Sequence, residues 1–200
     1  MSALMTVYDL ALARERLVKH LPSDLLAHCE RVREVCLALA QRWGASLEKA
    51  EFVALTHDVA RALGLGELLS LARSYKLLHD EVELRHPVLL HGPVGAEILR
   101  QQWGIDDEEV LGAVACHTVG RAEMTLLEKI LFLADKIEPE KSRERPGPAR
   151  IKELTSVDLD RAVLELLDQL LLFHVENKHL IHPSSLAARN SLLVKVGRNR

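Results

Sequence analysis

His57 and Asp58 stand side by side in an otherwise apolar run from Phe52 to Ala60. Two ionisable neighbours in such a setting are costly to bury without a partner. A metal ion is the simplest partner for an imidazole–carboxylate pair. The chain offers more ligand types in similar settings: His28, His91, His117 and Asp135, each in or at the start of an expected helix. An imidazole–carboxylate set without thiolate suits iron(II), manganese or another hard-to-borderline divalent ion. It gives no reason to prefer a closed structural zinc site. Asp58 has two oxygens and can bridge two ions. The chemistry of such a set is hydrolysis by a metal-activated water.

Positions three or four apart share a helix face. His28 lies in line with Leu25, Val32 and Val35, and His57 with Val53, Ala54 and Ala60. His117 lies with Val110, Ala113 and Val114, and Asp135 with Leu131 and Phe132. All four therefore face inward, and four helices could converge their ligands as bundles do in carboxylate–histidine sites. Each residue also has a plain reading. A single inward histidine is more often a hydrogen-bonded core residue, and Asp135 alone could be half of a salt bridge. Their joint occurrence favours metal, because several unpaired buried polar groups would be expensive.

The elements that must position these residues read as helices with short breaks. Helices are expected from Thr6 to His20, from Ser23 or Asp24 to near Gly44, and from a Ser46 cap through His57-Asp58 to near Gly64. A short helix around Glu67–Tyr75 precedes a less regular stretch to Leu90. His91-Gly92-Pro93 opens a helix that ends at Trp103-Gly104. Asp106 or Asp107 starts the helix holding His117, and Thr125 starts one running through Asp135 to Glu138. Residues 139–150 are polar, basic and rich in breakers, and read as a loop. Two helices, about Asp158–Lys178 and Ser184–Val196, close the chain. No period-two strand pattern appears. The expectation is one all-α domain over 1–200, with a core at about 25–138, the loop, and C-terminal helices over 151–200.

Composition supports that reading. Of 200 residues, 48% are hydrophobic and only 4% aromatic, so the core must be mostly Leu, Val and Ala, a helix-favouring mixture. A net charge of -3 argues against general nucleic-acid binding. The N-terminal residues lack the order of a signal peptide, and no apolar run approaches a membrane span. Cys29, Cys36 and Cys116 form no C-x-x-C pair and read as reduced core thiols of a cytoplasmic protein.

The ordered set His28, His57-Asp58, His91, His117, Asp135 resembles the HD-domain metallophosphohydrolase superfamily. Local motifs narrow the resemblance to the bacterial YqeK-type family: Thr56 to Arg61, Leu90-His91-Gly92-Pro93-Val94-Gly95-Ala96, Cys116-His117-Thr118, and Leu133 to Pro139. Ile181-His182-Pro183-Ser184 and Ala188-Arg189-Asn190 extend it, so that it covers about Leu25 to Leu193. The resemblance implies an HD-type helical bundle of about nine to eleven helices. It implies symmetrical hydrolysis of diadenosine tetraphosphate to two ADP at a di-iron centre. In that assignment His28, His57, Asp58 and Asp135 hold one ion, and Asp58 bridges to a second held by His91 and His117. Two departures stand out: Arg61 replaces a common Lys, and Glu140-Lys141 follows Pro139 where a basic residue commonly comes sooner.

The expected nucleophile is a hydroxide shared by two metals, with Asp58 as the bridging catalytic ligand. A cation must stabilise the leaving ADP. Arg61, one turn after His57, is the first candidate for this catalytic and substrate-binding role, followed by Lys136 and by Arg143 or Arg145. The loop arginines could equally be solvated charges. His86 could be a rival ligand or a residue outside the site, and Arg189 could fold toward the site or pack helices. His20, His79, His174 and His179 match no ligand spacing, and His182 reads as structural. The expected partner is a small dinucleoside polyphosphate, with no nucleic acid and no membrane; oligomeric state stays open, a homodimer included. The alternatives are a nucleotidase or phosphodiesterase using the same site, and a non-catalytic nucleotide sensor.

Overall fold

The computed structural model describes residues 8–141 and 148–198. Among them are eleven α-helices and no strand. In chain order they are α1 (Leu10–His20), α2 (Ser23–Trp43), α3 (Leu47–Thr56), α4 (Leu65–Ser74), α5 (Glu81–Arg85), α6 (His91–Trp103), α7 (Glu108–Cys116), α8 (Leu126–Ile137), α9 (Pro148–Thr155), α10 (Leu159–Glu176) and α11 (Pro183–Arg198). A 3-10 turn, Pro87–Leu90, leads into α6. The all-α expectation holds.

Capping side chains set most of the starts. Asp9, Ser46, Asp107 and Asp158 each accept a backbone N–H from the first turn of the helix they precede. Thr125 and Glu128 form a reciprocal capping box on α8, and Asp80 and Glu83 form one on α5. Gly44 and Gly104 close α2 and α6 in the left-handed conformation.

Several boundaries differ from expectation, among them the end of α7 at Cys116, which leaves His117 just beyond the helix expected to hold it. Helix α1 starts at Leu10, capped by Asp9, and Thr6 lies outside the described residues. Pro22 rather than Ser23 or Asp24 occupies the cap of α2. Helix α3 ends at Thr56, so His57-Asp58 sits on a turn beyond it. There the backbone changes to tighter three-residue bonds, Val59 N–H to Thr56 O, Arg61 N–H to Asp58 O and Leu63 N–H to Ala60 O. The expected loop already turns helical at Pro148, where the fixed φ of proline suits the first position. That extra helix, α9, buries Ile151 and Thr155. Its last carbonyls are satisfied from α2: Trp43 Nε1 donates to Thr155 O and Arg42 donates twice to Ser156 O.

Helix α8 is the centre of the packing. Ten of its twelve residues are buried, so it is covered on every side rather than on one stripe. Its buried cation Lys129 is paired with Asp160, and its buried Glu128 with Arg121. Helices α6 and α7 cross closely at Gly92, where a Cβ would lie 2.8 Å from the Ala115 carbonyl oxygen. This contact brings the start of α6 against the end of α7. All three cysteines are buried and free of disulfides, and burial pushes their thiols up. No helix among the described residues is long and apolar enough to cross a membrane.

Candidate metal centre

Five elements deliver the six ligand-type residues to one place. His28 comes from the second turn of α2, and His57-Asp58 from the turn after α3. His91 is the first residue of α6, His117 follows the end of α7, and Asp135 lies in the last turn of α8. Each is less than a tenth exposed.

Asp58 is the hub. Its Oδ1 lies 3.1 Å from His91 Nε2 and 3.6 Å from His117 Nε2. Its Oδ2 lies 3.5 Å from His57 Nε2 and 3.9 Å from His28 Nε2. Asp135 Oδ1 is 3.1 Å from His28 Nε2 and 3.8 Å from His57 Nε2. Two overlapping groups could each hold a metal ion: His28, His57, Asp58 and Asp58, His91, His117.

The histidine tautomers follow from the backbone. Nδ1 of His57 donates to Ala54 O at 2.8 Å, Nδ1 of His117 to Val114 O at 2.7 Å, and Nδ1 of His91 to Val88 O. A carbonyl can only accept, so Nδ1 carries the proton in all three. The neutral rings therefore turn an Nε2 lone pair inward, the arrangement of metal-ligating histidines. His57 Nε2 is buried with no hydrogen-bond partner. His28 is held differently, by Glu138 Oε1 at 3.4 Å from its Nδ1. Arg31 in turn holds Glu138, at 2.8 Å.

Electrostatics make the cluster electron-rich. Burial lowers His57 to about 4 and also lowers His117, so both rings are neutral near pH 7. Burial raises the Asp58 carboxyl, but His57, His117 and His91 outweigh it and hold the group well below the usual carboxylate range. Asp135 behaves likewise, with Lys136, His28 and Lys141 reversing the effect of burial. Two ionised carboxylates thus meet inward-facing lone pairs in a dry setting. That donor set fits divalent cations.

A cleft of about 470 Å³ opens from this cluster. Its lining includes the charged residues Asp58, Asp135, Arg61, Lys136 and Lys141, and the apolar Leu167, Leu170 and Leu171 of α10 with Leu180 and Ile181.

The HD domain family model matches residues 25–140. The chain is also 39% identical to a protein of Halalkalibacterium halodurans over 90% of its own length and 95% of that protein's. The chain belongs to the HD-domain family. That relative is named symmetrical bis(5'-nucleosyl)-tetraphosphatase, as is one from Bacillus subtilis, 32% identical over 92% of this chain and 95% of that one. A crystal structure from Clostridium acetobutylicum, described as a predicted HD superfamily hydrolase involved in NAD metabolism, has a TM-score of 0.88. It is 30% identical and covers 94% of this chain and 98% of its own.

The other residues singled out in this HD-domain chain are placed as follows. Arg61 is exposed and lines the cleft. Lys136 lines it too, with Nζ donating to His117 O and Asp135 and lying 4.3 Å from the Phe132 ring centroid. Arg143 and Arg145 lie outside the described residues. His86 lines the cleft outside both groups. Arg189 pairs with Asp168 at 2.7 Å and fastens α11 to α10.

Sequence reasoning gave no site role to six residues that reach the cluster or line the cleft. Thr118 Oγ1 is 3.3 Å from Nε2 of both His91 and His117. Glu138 orients His28, and its spacing of three from Asp135 on α8 was the available signal. Lys141 Nζ reaches Asp135 Oδ1 at 2.5 Å. His174, His179 and His182 line the cleft although no ligand spacing marks them.

Proposed function

We propose that this chain is a metal-dependent hydrolase that cleaves diadenosine tetraphosphate symmetrically to two ADP. The carrying observation is the convergence of inward Nε2 lone pairs on two ionised carboxylates at the head of a cleft. The names of relatives aligned along nearly the whole chain supply the substrate class. Buried free thiols suit a cytoplasmic setting.

In this reading His28, His57, Asp58 and Asp135 hold one divalent ion, and Asp58, His91 and His117 a second. The two oxygens of Asp58 facing different histidine pairs support its role as the shared ligand. Iron or manganese suits the donor set. Bound ions supply a water of lowered pKa and neutralise phosphate charge.

The chain does the rest. Asp58 stays ionised, and the Nδ1 bonds to the Ala54, Val88 and Val114 carbonyls keep His57, His91 and His117 turned toward it. Glu138 fixes the His28 ring. Lys136 and Lys141 balance the Asp135 charge. Arg61, charged at any working pH, faces the leaving ADP and stabilises the charge that develops on its terminal phosphate. One inner phosphorus gains the water oxygen, and the central bridging oxygen departs with the other ADP.

Turnover in oxygen-18 water tests this. The expected result is ADP as sole product, with one label shared per two ADP. AMP plus ATP would overturn symmetrical cleavage, and no metal-dependent turnover would overturn the enzyme reading.

A further inference from the structure

The chain between α10 and α11 lines the cleft, and two bonds fasten this segment and the first turn of α11. Ser185 Oγ donates to Val119 O at 2.8 Å, on the turn that follows His117. His182 reaches toward α5: its Nε2 lies 3.3 Å from Glu83 Oε1, with both side chains about nine-tenths buried. Ser184 N–H donates to His182 Nδ1, so Nε2 is the proton-bearing nitrogen and donates to Glu83. The other Glu83 oxygen is occupied, accepting from the backbone of His79 and Asp80. Glu83 is thus a fixed anchor, and His182 is a clasp onto it.

The clasp has a location that matters. Leu180 and Ile181 precede it directly and line the same cleft as Asp58, His91 and His117. They belong to no helix, so the ladder of a regular element does not hold them in place. Leu170 and Leu171 of α10 line the same cleft. The polyphosphate needs the charged part of this lining. A nucleobase, flat and apolar on its faces, needs walls such as these.

We propose that His182 is a positioning residue for the nucleoside end of the substrate. Its bond to Glu83 holds Leu180 and Ile181 where a nucleobase packs between them and α10. This rests on the dinucleoside tetraphosphate reading given above. Losing the clasp weakens binding of the nucleoside and leaves the phosphoanhydride chemistry intact.

Two substitutions divide the work of the ring. His182→Asn keeps an acceptor near Nδ1 for Ser184 and loses the reach to Glu83. His182→Gln places an amide N–H near the Nε2 position and keeps that reach. The Asn variant should raise KM for diadenosine tetraphosphate about ten-fold with kcat within about two-fold, the scale of one lost buried hydrogen bond. The Gln variant should stay within about three-fold in KM. As competitive inhibitors, ADP should weaken against the Asn variant by the same factor, while inorganic pyrophosphate should not change. Glu83→Gln keeps an oxygen for the backbone N–H pair and turns an NH2 toward His182. It should reproduce the Asn result if the Asn variant fails to fold.

An unchanged KM in both His182→Asn and Glu83→Gln would overturn the proposal. So would a fall in kcat alone, or equal weakening of ADP and pyrophosphate. Wild-type protein that cleaves no dinucleoside tetraphosphate would overturn the underlying reading, and direct calorimetric binding of ADP and of pyrophosphate to wild type and the Asn variant would still decide whether the wall holds a nucleoside.

Discussion

His91 and His117 face each other nitrogen to nitrogen, Nε2 to Nε2 at 3.0 Å. Each ring commits its Nδ1 proton to the carbonyl three residues earlier, so two lone pairs meet. The Thr118 hydroxyl is 3.3 Å from both and has a single proton to offer. A shared cation would resolve the conflict for both rings at once.

Metal stoichiometry should follow from this. His117→Ala is expected to lower metal content from two ions to one, leaving the His28–His57 group loaded. Asp58→Ala is expected to lose both ions and nearly all turnover, because both groups use it. Elemental analysis of purified variants checks this, and two retained ions in Asp58→Ala would sink the shared-ligand assignment.

Arg61 should separate charge stabilisation from metal binding. It lines the cleft one turn beyond Asp58 without being a ligand. Arg61→Ala should lose roughly 10²–10³ in turnover with metal retained, as for other charge-stabilising donors. Arg61→Lys should recover part of the loss, because the charge is kept while the bidentate fork is not. Unchanged kinetics in the Ala variant would make Arg61 a surface residue and shift the role to Lys136 or Lys141.

Gly92 should be intolerant of any side chain. A Cβ there meets the Ala115 carbonyl at 2.8 Å and the Val114 carbonyl at 3.1 Å. Both are backbone atoms of α7, which cannot swing aside as a flexible side chain can. Gly92→Ala should cost about 1–3 kcal/mol, the usual scale of overpacking. It should also weaken the ion held by His91 and His117, because the two helices must separate. Thermal unfolding and metal titration give the two readouts.

Acid sensitivity should run through Asp107. Lys49, Tyr8 and two backbone N–H groups outweigh the effect of burial and lower its carboxyl from 3.8 to about 2. A depressed folded value means the stabilisation is full above 3.8 and is lost as pH falls through about 2. Asp107→Ala should cost about 1–2 kcal/mol at pH 7, the scale of a lost helix cap. The gap between variant and wild type should shrink toward pH 2. Denaturant titrations at both pH values measure it, and a gap that grows on acidification would reverse the sign.

Much of this fold was legible because its helices are amphipathic and well capped. Ser46, Asp107 and Thr125 announce their helices, and the apolar spacing around His28 and Asp135 correctly turns both inward. The end of α3 was not legible. Val59 and Ala60 continue the apolar pattern, and no proline or glycine marks the change of backbone at His57. Helix α9 was hidden because eight residues beside a breaker-rich segment give a weak period. Glu138 stands 110 positions from His28, and Glu83 stands 99 from His182. Pairings at such separations come from packing, and no local spacing encodes them.

The early stop of α3 has an electrical consequence. His57 caps the end of α3, His117 caps the end of α7, and Asp135 lies in the last turn of α8. Three helices therefore aim their carboxyl ends, with partial negative charge, at one spot. The amino end of α6 at His91 opposes them, and α2 carries His28 in its second turn from its own amino end. The backbone itself attracts cations to this place and repels a tetraphosphate from it. If ions occupy the cluster, that field predicts an order of loading, with ions ahead of the anionic chain.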